Sequence, residues 1–172
     1  LKKILVVKEL DKITITDITN DCGINRQTFY YHFKDIYDLL EWIFANEIVE
    51  KIEKETTIET WQDNFKYVLD YMLKNKKFII KTYNSLSRKT LLDFLFNQYN
   101  TIFIEIVNDL SKNYNITKEN KIFIANFYKY GFAGIIENWI VTEMKESPES
   151  IIKKLDVMIS GNFEEAVRKM SN

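Results

Sequence analysis

Residues 13–35 read I-T-I-T-D-I-T-N-D-C-G-I-N-R-Q-T-F-Y-Y-H-F-K-D, and this stretch decides how the rest of the chain is read. Thr14 stands where an N-cap belongs, and Asp17 follows three residues later, so the pair spells a capping box with the acid well placed for the helix dipole. Ile15, Ile18 and Cys22 recur along one face of the helix this predicts, and Cys22, small and apolar, is expected in the core where two helices meet. Gly23 supplies the left-handed residue that ends that helix before a sharp turn. Asn25 is a good N-cap for a second helix over 26–32, whose buried stripe is Phe29 and Phe33, four residues apart. Two short helices joined by a glycine turn form a helix-turn-helix unit.

The side chains left over on the second helix have a consistent chemistry. Reading DNA requires a rigid helix that enters the major groove, polar side chains near its N-terminal end to reach base edges, and phosphate anchors on both flanks. Arg26 and Gln27 are the residue types that pair bidentately with guanine and adenine, and Thr28 suits a thymine methyl or a phosphate. Tyr30, His32 and Lys34 offer hydroxyl, imidazole and ammonium groups to the backbone. Thr14 and Thr16 add hydroxyls at the start of the preceding helix.

At these residues the chain resembles the DNA-binding signature of TetR-type regulators. The pattern is met at Ile15, Ile18, Cys22, Gly23, Ile24, Asn25, Phe29, Tyr30, His32 and Phe33. The resemblance implies phosphate contacts from Tyr30 and His32, a base-facing or base-adjacent set of Arg26, Gln27, Thr28 and Tyr31, and core roles for Phe29 and Phe33. The candidate DNA-contacting residues are therefore Thr14, Thr16, Asn25, Arg26, Gln27, Thr28, Tyr30, Tyr31, His32 and Lys34. Two departures stand out: the family often carries a lysine where this chain has Ile36, which leaves Lys34 as its candidate replacement, and the first helix is short. The stretch R-Q-T-F-Y-Y-H-F-K-D-I-Y-D-L-L-E-W-I-F, with Y-G-F-A-G-I-I-E-N-W-I-V-T-E-M-K-E-S-P-E further on, is similar to the TetR-type subgroup that contains the dihydroxyacetone kinase operon activator.

Outside this unit the pattern is helical throughout. One proline and four glycines in 172 residues leave few strong breakers, and 46% hydrophobic with 28% charged residues suits a globular chain with a real core. The fold class expected is all-α, with a three-helix DNA-binding domain over 1–45 and a helical bundle for dimerisation and effector binding over 46–172. A first helix is expected over 2–10, burying Ile4, Leu5 and Val7. A long helix should run from 34 or 35 to about 54. Further helices are expected at 61–74, 77–83, 88–112, 118–144 and 148–170, with Ser87, Thr117 and Ser147 as N-caps and Pro148 in the first turn. Lys74 to Lys77 reads as a solvated charge run.

Formal charge is −1, with six basic residues against four acidic ones over 1–34, a local +2 that leaves −3 for the remainder. An acidic body can carry a basic reader, because only the contacting face needs to be cationic. The single Cys22 excludes an intrachain disulfide and the lone His32 excludes a histidine-based metal site. No metal or cofactor is expected. A reducing cytoplasm fits the cysteine usage. No apolar run reaches bilayer length and no signal-peptide pattern opens the chain, so no membrane partner is expected.

An enzyme would need a phosphate-cradling glycine loop, a nucleophile–base pair or clustered carboxylates, and none is found. The function expected is a sequence-specific DNA-binding regulator, a homodimer on an inverted-repeat operator of double-stranded DNA, controlled by a small-molecule effector or a co-regulator protein. The alternative is a helical protein-interaction module that has lost DNA binding. Aromatics at helical spacings make Tyr67, Tyr71, Phe94, Phe103, Phe127 and Trp139 candidates for an effector pocket, with Tyr99 beside them, against the plainer reading that each is core. By the resemblance, the last two long helices dimerise, which makes Gly131, Gly134, Ile135, Ile151, Leu155 and Met158 the candidate interface.

Overall fold

The computed structural model describes residues 1–48, 57–85 and 102–171. Among the described residues all regular structure is helical. The helices are α1 (Lys2–Val7), a 3-10 turn (Leu10–Lys12), α2 (Ile15–Cys22), α3 (Arg26–His32), α4 (Ile36–Glu47), α5 (Trp61–Lys74), α6 (Lys76–Ser85), α7 (102–110), α8 (Lys118–Val141), α9 (Pro148–Ile159) and α10 (Asn162–Lys169).

Five helix starts, those of α2, α3, α4, α8 and α9, fall where cap chemistry puts them. Thr117 accepts a hydrogen bond from the Asn120 amide, and Ser147 from the Ser150 amide with Pro148 at N1, so α8 and α9 start where the sequence predicts. Asp35 caps α4 by accepting from the Tyr37 and Asp38 amides. Expected features at Ser87, Phe94 and Tyr99, and the α4 extension beyond 48, lie outside the described residues.

Four expectations are corrected. The first helix stops at Val7, and the backbone re-forms as a 3-10 turn at Leu10. Val7 is exposed, since Leu5, Leu10 and Ile13 carry the burial. The run between Lys74 and Lys77 is a single break at Asn75 between two helices. Finally, 148–170 is two helices, because Gly161 takes φ +76 at the N-cap of α10. There the four-residue spacing of Leu155, Ile159, Phe163 and Val167, all buried, runs unbroken across the bend. Apolar periodicity therefore conceals the break, and the glycine alone signals it.

The core is continuous from the N-terminal helices to α10. Leu5, Ile18, Phe29, Leu40 and Ile43 form its N-terminal end, and Leu69, Val107, Ile136, Trp139 and Val167 its centre. The three-helix unit is seated on the body by α1 and the 3-10 turn, which pack against α6. α5 lies against α9, held also by Gln62 donating to Asp156 at 2.7 Å and by Lys66 bridging Asp70 and Glu149. Those two carboxylates push the Lys66 ammonium up to about 12.

Candidate nucleic-acid interface

The turn between α2 and α3 is built from local hydrogen bonds. Thr14 Oγ1 accepts from the Asp17 amide at 3.1 Å, and Asp17 Oδ2 accepts from the Thr14 amide at 2.7 Å, closing the capping box. Lys8 donates to the same carboxylate at 2.6 Å. Lys8 first, then the Thr14 backbone and hydroxyl, hold the Asp17 carboxyl at about 2, so it stays ionised and ties the segment after α1 to α2.

Gly23, at φ +67, ends α2. Its amide donates to the Asn20 carbonyl and the Ile24 amide to the Thr19 carbonyl, the paired bonds of a Schellman motif. Asn25 Oδ1 then accepts from the Thr28 amide at 2.8 Å and from the Thr28 hydroxyl at 3.1 Å, starting α3. Phe29 is 2% exposed, and its ring meets Phe33 at 5.6 Å, while Phe33 in turn rests edge-on against Trp42 of α4 at 5.7 Å. α3 is thereby fixed at both ends and along its inner face.

All ten predicted contact residues are exposed, Tyr31 at 85% and Tyr30 at 51%. Among the described residues, no hydrogen bond or ion pair engages the side chains of Arg26, Gln27, Tyr30, Tyr31, His32 or Lys34, although the Lys34 amide donates to Asp38 at 2.8 Å. Their polar groups are available at full hydrogen-bonding capacity. Thr14, Asn25 and Thr28 spend part of theirs on caps, so they act first as frame. Tyr31 and His32 pack edge-to-face at 5.0 Å, which limits the sweep of both rings. The arrangement gives a rigid helix whose exposed surface carries a guanidinium, an amide, two phenols and an imidazole.

Cys22 is corrected: the thiol is exposed, and Thr19 fills the buried position beside Ile18. Cys22 is the last residue of α2, exposed where the chain turns away at Gly23.

The predicted pocket residues do not converge. An apolar cavity of about 40 Å³ lies between α5, α7, α8, α9 and α10, lined among others by Trp61, Phe65, Phe103, Tyr128, Phe132 and Phe163. Of the predicted set, Phe103 alone among the described residues lines it, and Phe94 lies outside them. Phe127 is corrected to the opposite, exposed face of α8. Trp139 is buried and donates its indole N–H to the Glu146 carbonyl at 2.8 Å, pinning the turn after α8. That turn, with Glu143 and Met144 in the left-handed region, ends α8 at Val141, short of the expected Met144.

Tyr67 and Tyr71 instead face the end of α4: the Tyr67 hydroxyl donates to the Glu47 carbonyl at 3.2 Å and the Tyr71 hydroxyl to its carboxylate at 2.8 Å. Sequence reasoning missed Glu47 and Lys2, its partner at 2.7 Å, because nothing in a 45-residue separation signals contact.

In the predicted interface, Gly131, Gly134 and Met158 are exposed and Ile135 is half-buried, but Ile151 and Leu155 are corrected to the core of their own chain. Exposed apolar residues the sequence reading passed over, Phe123, Tyr130 and Val141, share a face of α8 with Phe127 and Gly134.

The comparisons with known proteins agree with this geometry. Residues 59–161, more than half the chain, match the family model TetR_C_8, described as Transcriptional regulator C-terminal region. The chain is 27% identical over 132 residues, 76% of its length and 70% of the relative's, to the HTH-type dhaKLM operon transcriptional activator DhaS of Lactococcus lactis subsp. lactis (strain IL1403). A solved structure named Dihydroxyacetone kinase operon activator DhaS superposes with a TM-score of 0.70 at 23% identity, covering 99% of this chain and 93% of that one, and so shares its fold. The alternative of an interaction module without DNA binding is not favoured. A helix-turn-helix with its reading face uncommitted, joined to a body of this kind, makes the chain a DNA-binding member of the TetR family of transcriptional regulators.

Proposed function

We propose that the chain works as a homodimer that reads an inverted-repeat operator with α3 and changes its grip when a signal binds the helical body. The exposure of Arg26, Gln27, Tyr30 and Tyr31 on one face of an N-capped helix carries this reading. Thr16, His32 and Lys34 would serve the flanking phosphates.

The dimer rests on α8. It is apolar on two faces: Phe132, Ala133, Ile136 and Ile140 are buried in the subunit, while Phe123, Phe127, Tyr130 and Val141 stand exposed. A helix apolar all round is normally covered all round. A two-fold partner would cover it and place the two readers about 34 to 36 Å apart, one turn of DNA. The division near residue 45 follows, with the reader before it and the dimerising and signal-receiving body after it.

The cavity is the reading's candidate signal site. Its 40 Å³ holds roughly three waters, so a larger effector must part α5 from α8 to enter, and that parting is the differential contact a switch requires. A regulator of this kind belongs in the cytoplasm beside its DNA. The names of the relatives make a dihydroxyacetone kinase operon the first promoter to try.

Footprinting of the full-length protein on the promoter beside its own gene and on that operon tests the proposal. It predicts one protected inverted repeat with half-sites one or two helical turns apart. Protection with no two-fold symmetry would contradict it.

A further inference from the structure

Glu47, the last residue of α4, is bonded to two other helices, α1 and α5. Its carboxylate accepts from Lys2 of α1 at 2.7 Å and from the Tyr71 hydroxyl of α5 at 2.8 Å, and its backbone carbonyl accepts from the Tyr67 hydroxyl at 3.2 Å. Lys2 also lies 3.3 Å from the Tyr71 oxygen and above the faces of Tyr71 and Phe78, at 5.2 and 5.5 Å.

Neither charge is where its own helix wants it. A carboxylate in the last turn of α4 and an ammonium in the first turn of α1 both oppose their helix dipoles. Their placement is explained by each other, across a junction of reader, connecting helix and body. Tyr67 and Tyr71, four apart on α5, grip one residue by its backbone and its side chain together.

We propose that Lys2, Glu47, Tyr67 and Tyr71 form a latch that sets the angle of the reader on the body, so that these four are positioning residues for DNA recognition although none touches DNA. The inference rests on the regulator reading above and adds to it the element through which the body controls the reader. A second ion pair, Glu9 with Lys81 of α6 at 3.0 Å, braces the same junction from the far end of the N-terminal segment. A signal that shifts α5 moves Tyr67 and Tyr71 with it, and through Glu47 it moves both α4 and α1. Opening the latch leaves the number of phosphate contacts unchanged and lowers the fraction of molecules with readers correctly spaced.

Amide hydrogen exchange and DNA titration on full-length Glu47→Ala, Tyr71→Phe and Lys2→Met test this. Lys2→Met keeps the apolar stem over the rings, so folding is retained if Glu47→Ala is too severe. The expected result is faster exchange confined to α1 and the end of α4, unchanged protection in α8 and α9, and operator affinity about fivefold or more weaker at an unchanged salt slope. The exchange of charges, Lys2→Glu with Glu47→Lys, should recover most of both. Unchanged exchange in α1 in both Glu47→Ala and Lys2→Met would overturn the latch. The exchange measurement needs no DNA, so it judges the latch even if the regulator reading fails on its own assay.

Discussion

At the residue scale the reader's precision comes from three short-range devices: Thr14 with Asp17, Gly23, and Asn25. Each is an interaction between residues three or four apart, and each was legible in the sequence for that reason. Replacing Gly23, at φ +67, with alanine forces a side chain into the left-handed region and should cost about 1 to 2 kcal/mol in urea unfolding. Thr14→Ala should cost about 1 kcal/mol by the same measurement. Asp17 adds a pH signature. Its folded-state carboxyl lies at about 2 against an ordinary 3.8, so its contribution is complete above pH 3.8 and is lost as pH falls through 2. Melting curves of Asp17→Asn and the parent protein should differ most at neutral pH and converge toward pH 2. Cys22 and Val7 were misplaced because they end short helices, where periodicity says which way a side chain points but not whether anything lies over it.

At the element scale, helix existence and type were readable wherever caps and apolar spacing agreed, as in α8 and the start of α9. The bend at Gly161 and the lining of the apolar cavity were not. The first is hidden by a stripe that continues across the bend, and the second depends on which helices face one another. The same limit applies to Ile151 and Leu155, since the most regular stripe on α9 is buried within its own subunit. Phe127→Glu, on the exposed face of α8, should leave the helical circular dichroism intact and turn a dimer into a monomer in analytical ultracentrifugation. A dimer that persists through both Phe127→Glu and Phe123→Glu would place the interface elsewhere. Leu69→Ala, at the buried centre of α5, should instead cost about 2 to 5 kcal/mol of stability without altering the oligomeric state selectively.

At the scale of the whole molecule, a nearly neutral chain binds DNA only if its charge is placed. Residues 1–34 carry a local excess of positive charge and α3 presents an uncommitted polar surface, while the remainder of the chain is net acidic. The central claim is that α3 is that reader. The most direct test is a fluorescence anisotropy titration of the full-length protein against its footprinted operator and random DNA, at several salt concentrations, with Arg26→Ala and Tyr30→Ala alongside. The account predicts salt-dependent binding that favours the operator by about a thousandfold or more. It predicts that Arg26→Ala loses about 1 to 3 kcal/mol and relaxes base preference, and that Tyr30→Ala weakens both DNAs alike. Operator binding undiminished in both variants, by proteins as well folded as the parent, would contradict it.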